Sequence, residues 1–411
     1  MKIFVKTFGC RVNQVETQAV LEKLAAAGHE FCKGYEESDA CILNTCTVTA
    51  RADSDAARLL RQISSRNPGA RLIVTGCFAQ LHADKVLSAA PNAELVPNPK
   101  KQDIPLLLGA PESAAGWVVT GLRGRTRAFI KIQDGCDRFC SYCAVPLARS
   151  VKYSKNFDSV LKEVRALVDC GLREIVFSGI NIGEYKCPDT GLGLAALLTE
   201  ASRISGDFRL RFSSVEAFSI NGELLDAASG AGGKFCRYFH IPLQTGSPSV
   251  ATAMNRKCRP DDFRRAVAIV RRAMPEASIF SDVIAGYPSE TESEFLETEA
   301  FIETLALSGL HVFSFSTRTG TAAAKLKVLP LAVVRDRSRR LHELDEKLRA
   351  AFARSLVGTV QRVLPEEGSR PFSGLAENFQ RVLLPKGAPR EGFTLVEIES
   401  ASGGLCQGRL L

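Results

Sequence analysis

No apolar run in these 411 residues approaches the length needed to cross a bilayer, and histidine is scarce. The five histidines, His29, His82, His240, His311 and His342, form no metal-ligand pair, which excludes the imidazole-rich zinc sites. His240 and His311 fall inside predicted strands and read as hydrogen-bonded sheet residues rather than catalysts. The opening stretch MKIFVKTFGC (1–10) reads as a strand with charged flanks and not as a secretory leader, so a cytoplasmic location with no membrane contact is expected. Cysteine is not scarce. Thirteen are present, an odd number, and in a reducing compartment they fit ligands or reduced core residues better than a disulfide framework.

A hydrophobic content of 45% and a charged content of 24% are those of an ordinary globular protein, long enough for two or three domains with cores of their own. The net charge of +8 has the sign expected of a nucleic-acid partner. Arginines and lysines recur between Arg203 and Arg272 and again from Arg335 to Arg340. Solvated helix faces explain any single one of them equally well.

Cys136, Cys140 and Cys143, in KIQDGCDRFCSYCAVPL (131–147), follow a strand-like segment at 127–132 with the spacing Cys-x3-Cys-x2-Cys. Three thiolates so placed suit a cubane iron–sulfur cluster, which normally takes four protein ligands, and leave one iron open. A structural zinc site would need a fourth ligand. Three unrelated buried cysteines are the bland alternative, made improbable by their crowding into one loop. The spacing resembles the signature of the radical S-adenosylmethionine enzymes. That resemblance implies that the open iron binds the amino and carboxylate groups of S-adenosylmethionine. One electron from the cluster would then cleave the sulfonium to give a 5′-deoxyadenosyl radical.

The first hundred residues alternate strand-like and helical segments: strands at 2–10, 39–48 and 70–80, helices at 16–28, 53–66 and 82–90. This pattern predicts right-handed βαβ units and a parallel sheet. Cys10, Cys46 and Cys77 each fall at the carboxyl end of one of these strands, the edge where open α/β sheets bind ligands. The fold should therefore gather three thiols that are remote in sequence into a second three-thiolate site. The alternative is three core cysteines of no special role, as Cys32, Cys41, Cys170, Cys187, Cys236 and Cys258 would be. TFGCRVNQ (7–14), NTCTVT (44–49) and VTGCFAQ (74–80) are similar to the three cysteine motifs of the methylthiotransferase family. That likeness implies an auxiliary cluster at Cys10, Cys46 and Cys77, with Asn13, Gln14, Asn44 and Thr45 shaping its loops. Turn and cap roles would account for those four almost as well.

From 121 to 349 six more strands are predicted, at 127–132, 174–179, 210–215, 237–243, 278–284 and 310–316, with helices between. They fit a six-stranded partial α/β barrel whose working groups lie at the carboxyl ends of the strands. Resemblance to the radical S-adenosylmethionine barrels implies cofactor contacts at Ser178 and Gly179 in SGINIGEY (178–185), at Glu216, at Gln244 in QTGS (244–247), at Arg256, and at Asp282 and Gly286 in DVIAGYPSET (282–291). Gly286 would let backbone approach the adenine or ribose closely. Glu290 reads as a ligand or as a helix N-terminal charge with equal ease. Arg149 is followed by Ser150, where family members usually carry glycine.

A helical segment at 331–358 leads to short strands with Gly and Pro punctuation at 359–365, 373–385, 392–400 and 404–411, a small β-barrel by this reading. NFQRVLLP (378–385) and GRLL (408–411) are similar to the TRAM module of RNA-modifying enzymes. Six basic residues in this tail are balanced by six glutamates, so RNA contact would need one positive face, with Phe379 or Phe372 stacking a base. A folding cap is the alternative.

The whole order resembles the methylthiotransferases: an N-terminal methylthiotransferase domain at 1–112 with an auxiliary 4Fe–4S cluster, a radical core at 121–350, and a TRAM-like domain at 353–411. The motifs are most similar to the branch that acts on tRNA and replaces hydrogen at carbon 2 of N(6)-threonylcarbamoyladenosine, next to the anticodon, by a methylthio group. An aromatic carbon–hydrogen bond offers no acidic proton to a general base, which is why radical chemistry is needed. The resemblance implies two 4Fe–4S clusters, S-adenosylmethionine, and a tRNA anticodon loop. It also implies an electron donor such as a flavodoxin or ferredoxin, and a sulfur donor that the sequence does not name. Arg149 and Arg256 are the expected partners of the substrate's carboxylate. Modification of isopentenyladenosine in tRNA or of an aspartate of a small-subunit ribosomal protein, and a non-catalytic iron–sulfur RNA-binding role, are the alternatives.

Overall fold

The computed structural model describes residues 1–111, 126–366 and 368–411. The expected boundary between the first two domains, 112 to 121, lies outside the described residues. Five parallel strands form the first sheet: β1 (Lys2–Thr7), β2 (Glu30–Cys32), β3 (Ala40–Thr45), β4 (Arg71–Gly76) and β5 (Glu94–Val96), in the order β2-β1-β3-β4-β5. All six residues of β3 are buried, as befits a central strand covered by helices on both faces. Cys41 and Leu43 pack with Leu60 and Ile63 of the helix Ala50–Arg66. Ile42 turns the other way, toward Ile3, Ile73 and Leu24. The short edge strands β2 and β5 were not expected. The helix Arg11–Ala26 starts five residues before its predicted start, directly after Cys10.

The second sheet holds β6 (Arg127–Asp134), β7 (Tyr153–Ser154), β8 (Glu174–Gly179) and β9 (Arg209–Phe212) in the order β7-β6-β8-β9. A third holds β10 (Tyr238–His240), β11 (Ser278–Ala285) and β12 (Gly309–Ser314). Backbone bonds join them: the Cys236 amide donates to Leu210 O at 2.8 Å and the Val215 amide to His240 O at 2.9 Å. The six predicted strands β6 and β8 to β12 thus form one open curve of parallel strands, filled by a single large core of buried apolar residues. Only β7, which pairs antiparallel with the end of β6, was missed.

The helix Leu331–Ser355 leads to a closed barrel of β13 (Val360–Pro365), β14 (Ser373–Leu375), β15 (Arg381–Leu383), β16 (Thr394–Ser402) and β17 (Leu405–Leu410). The predicted strand at 373–385 is two strands, because Phe379 turns the chain at a positive φ of 64°. This barrel docks on the residues that open the strands of the larger, open barrel. Arg209 Nη1 donates to Leu375 O at 3.1 Å, Ser278 Oγ donates to Asn378 O, and Phe379 packs 4.7 Å from Tyr238 with Arg211 over its ring at 4.4 Å. Phe379 is therefore spent on the seam and is not the exposed platform for a base that the sequence suggested. No helix among the described residues is long and apolar enough to cross a membrane.

Candidate functional site

The carboxyl ends of β1, β3 and β4 bring Cys10, Cys46 and Cys77 together. Cys10 stands at the N-cap of the helix Arg11–Ala26, Cys46 follows β3 directly, and Cys77 is the first residue of the helix Cys77–Leu81. Two glycines permit the approach. Gly9, at φ 92°, leaves no room for a Cβ, which would overlap the Cys46 side chain; Gly76, at φ 99°, is pressed equally against the backbone of Thr45. Asn13 Nδ2 donates to the carbonyls of Phe8 and Thr45, both at 3.0 Å, and Asn44 Nδ2 donates to Asn13 O at 3.0 Å. Thr45 Oγ1 accepts from the Ala79 amide at 3.1 Å. Asn13, Asn44 and Thr45 therefore tie the three loops to one another, whereas the Gln14 side chain accepts from its neighbour Arg11.

Burial pushes the Cys46 thiol up to about 11, with the neighbouring Cys10 and Cys77 adding to the shift; burial raises Cys10 as well. Such thiols keep their protons at neutral pH until a cation takes their place. Among the described residues no three His, Cys, Asp or Glu side chains are arranged to grip a single metal ion. A lone zinc requires sulfurs about 2.3 Å from one point. A cubane cluster spreads its thiolates around a larger body. Three thiols on one rim, with Cys46 feeling both Cys10 and Cys77, are the donor set that a cubane cluster with one open iron takes.

The second triad lies on the loop after β6. Gly135 turns at φ 79°, packed against Val151 O, and the Cys136 amide donates to Arg149 O at 3.2 Å. The Cys143 amide donates to Cys140 O at 2.9 Å, and the Ser141 amide to Met254 O at 2.9 Å. Burial pushes the Cys143 thiol up to about 12, with Cys140 and Cys136 adding to it. Arg256 Nη1 lies 4.0 Å from Cys140 Sγ, and its guanidinium holds Glu216 in a two-pronged pair at 2.9 and 2.8 Å. The two predicted cofactor residues Glu216 and Arg256 thus form one unit beside the cluster loop.

Between the two triads lies a cavity of about 260 Å³. Cys77 and Cys143 both line it, with Tyr142, Gln244 and Asp282, and with Thr47, Phe313 and Arg318 around them. Gln244 is held there at a positive φ of 75°, and Asp282 Oδ1 accepts from His240 Nε2 at 2.8 Å. Arg318 closes one side: Nη1 donates to Asp53 at 2.8 Å and to Thr47 O at 3.3 Å, across from the barrel to the first sheet.

The remaining predicted residues do not line this cavity. Ser178 is buried within β8, and Gly179 is small because its backbone meets Gln133 O, where a Cβ would clash. Nearby, Asn181 is buried with Oδ1 unpartnered, which makes it the better candidate of that motif for a bound polar group. Gly286, at φ 79°, lies against Val334 of the helix Leu331–Ser355, where a Cβ would clash. Glu290 pairs with Arg337 at 2.8 Å. Arg149 is no cation awaiting a substrate. Its Nη1 and Nη2 donate to Glu16 at 2.9 Å each, Nη1 to Asp134 at 2.7 Å, and Nη2 to Asn13 at 2.8 Å.

Sequence reasoning missed Glu16, Lys101 and Lys131. Lys101 Nζ and Lys131 Nζ lie 2.6 and 2.7 Å from the Glu16 carboxylate. Burial alone would raise Glu16; Lys101, Lys131 and Arg149 overcome it and hold the carboxyl well below the usual range. A glutamate on a predicted helix carries no sign of partners eighty-five or more residues away.

Residues 2–97 match the family described as Uncharacterized protein family UPF0004, and residues 130–302 match the Radical SAM superfamily. A threonylcarbamoyladenosine tRNA methylthiotransferase, MtaB, of Bacillus subtilis is 34% identical, over 92% of this chain and 89% of that protein. A tRNA-2-methylthio-N(6)-dimethylallyladenosine synthase of Cereibacter sphaeroides is also 34% identical, over 90% of this chain and 88% of its own. Among solved structures, the radical S-adenosylmethionine methyltransferase TsrM from Kitasatospora setae, with cobalamin and a [4Fe-4S] cluster bound, superposes with a TM-score of 0.57 at 13% identity. That match covers 76% of this chain and 74% of TsrM.

Proposed function

Because this chain belongs to the radical S-adenosylmethionine methylthiotransferase family, we propose that it adds a methylthio group to carbon 2 of N(6)-threonylcarbamoyladenosine beside the anticodon of tRNA. Family membership brings an iron–sulfur cluster and S-adenosylmethionine with it. The observation that carries the reading is the single cavity with Cys77 on one wall and Cys143 on another. Each thiol belongs to a different triad, so a base in that space would face both. We place one 4Fe–4S cluster on Cys136, Cys140 and Cys143 and a second on Cys10, Cys46 and Cys77. Domain limits near 112–121 and 350–353 complete the proposal.

When bound, the first cluster supplies the electron that cleaves S-adenosylmethionine, and the second carries the sulfur that is transferred. The chain's own residues orient and enclose. Arg256, fixed by Glu216, places positive charge beside Cys140, where the carboxylate of S-adenosylmethionine would lie. Tyr142, Gln244 and Asp282 form the wall between the triads and offer hydrogen bonds to a base splayed out of a loop. Arg318 and Arg149 close the seam on two sides and keep water out. An electron donor such as a flavodoxin or ferredoxin would serve the first cluster.

Polar groups in the wall, Thr47, Thr49, Gln244 and Arg318, favour the threonylcarbamoyl substituent, which carries a carboxylate. Ile284, Phe313 and Phe315 favour the second reading, a dimethylallyl group, and the equal identity to both kinds of relative favours neither. The test presents reconstituted enzyme and reductant with anticodon stem–loops bearing threonylcarbamoyladenosine, isopentenyladenosine or plain adenosine. The methylthio mass gain is expected on the first. Preference for the second would move the chain to the other branch, and turnover of none would remove RNA as substrate.

A further inference from the structure

Arg149 is linked to both cysteine triads without belonging to either, directly to one and through Asn13 to the other. Its backbone carbonyl accepts from the Cys136 amide, the first cysteine of the cluster loop. Its guanidinium reaches across the seam and donates to Glu16 with both Nη1 and Nη2, and from Nη2 to Asn13 Oδ1 at 2.8 Å. Asn13 passes the link on, donating to the carbonyls of Phe8 and Thr45, two positions before Cys10 and one before Cys46. A continuous run of hydrogen bonds therefore connects Cys136 to the backbone beside Cys10 and Cys46.

Physical chemistry makes this link stiff. Arg149, Glu16 and Asn13 are all buried, so each bond acts in a low dielectric and a misplaced partner is costly. The guanidinium is a planar fork meeting both carboxylate oxygens, a geometry that a lysine cannot reproduce. Lys101, Lys131 and Asp134 hold Glu16 and Arg149 from the remaining sides. The same contacts that remove Arg149 from the substrate give it a different task.

We propose that Arg149 is a positioning residue that sets the separation and orientation of the two cysteine triads, keeping the sulfur-bearing site in register with the site that cleaves S-adenosylmethionine. The inference rests on the two-cluster reading above. A shift of about 1 Å between reacting groups costs on the order of a hundredfold in rate, so the link is needed even though it touches no reacting atom.

The test uses the full chain as wild type, Arg149→Lys and Asn13→Ala. Without clusters, hydrogen exchange is expected to quicken at residues 8–13 and 44–48 in both variants and to stay unchanged at 136–143. In reconstituted protein, iron content should hold and the melting temperature should fall, while the magnetic interaction between the two reduced clusters changes in the electron paramagnetic resonance spectrum. Methylthio product per S-adenosylmethionine cleaved should fall about a hundredfold. Should Arg149→Lys fail to fold, the uncharged Asn13→Ala decides. Wild-type exchange, coupling and product ratio in the variants would overturn the positioning role alone. A wild-type chain that takes up only one cluster would overturn the two-cluster reading and the inference with it.

Discussion

Glu16 and Glu174 are both fully buried under three cations, at opposite ends of the same barrel. Glu174 lies on β8 and meets Arg127 of β6 at 3.0 Å and Arg209 and Arg211 of β9 at 2.6 and 3.2 Å. All four residues come from one sheet, so this cluster is complete before anything docks, and Arg209 then offers a further donor to Leu375 of the small barrel. Glu16 and Lys101 come from the first part of the chain, and Lys131 and Arg149 from the barrel. That cluster exists only once the two parts have met. A buried glutamate under three cations thus serves as internal framework at one end and as a latch at the other. Buried ion clusters of this kind contribute less to net stability than to selecting one arrangement, because desolvation offsets most of the attraction.

Removing either glutamate should separate the two roles most sharply. Glu16→Ala and Glu174→Ala each leave buried cations unpaired, at a cost of about 3–5 kcal/mol. In calorimetry Glu174→Ala should lower one concerted transition. Glu16→Ala should split off an earlier one, as the first sheet undocks from an intact barrel. One shared transition in both variants would make latch and framework the same thing.

Acid should weaken both ends, with a size that can be assigned to the framework. Burial alone would raise Glu174, yet Arg209, Arg211 and Arg127 overcome it and hold the carboxyl at about 2, against an ordinary 4.5. The stabilisation is complete above the ordinary value and is lost as pH falls toward about 2, a change of roughly 3 kcal/mol. Glu16 is shifted in the same direction. Urea midpoints between pH 5 and pH 2 should show this loss, reduced in Glu174→Gln. An unchanged slope in that variant would remove Glu174 as its source.

The smallest effect concerns the far seam itself. Phe379→Ala removes the ring seated on Tyr238 under Arg211, at a cost of about 2 kcal/mol. Affinity for an anticodon stem–loop should stay as it was, since the ring faces protein. Lost RNA affinity at unchanged melting temperature would return Phe379 to the role read from the sequence.

What could be read in the sequence followed how local each signal was. Cys136, Cys140 and Cys143 announce themselves within eight residues. Cys10, Cys46 and Cys77 were legible because a parallel sheet puts every strand's carboxyl end on one rim. Six barrel strands were found from apolar runs, while two-residue β7 leaves no period to detect. The latch was invisible, because pairing between Glu16 and Lys101 or Arg149 depends on how two sheets meet. Gly286 needs its bare backbone for a reason no local signal gave, the approach of Val334 from a helix almost fifty residues further along the chain.

The small barrel sits at the opening ends of the radical-barrel strands, whereas the cavity lies at their closing ends. The eight residues of β11 run between them, a span of about 26 Å at roughly 3.3 Å per residue. A nucleoside, or a short unstructured oligonucleotide, cannot touch both at once with any economy of entropy. An RNA gripped at the one and modified at the other would have to be a stiff folded arm of matching length. The molecule would then act as a ruler, rejecting substrates by their reach before reading any base.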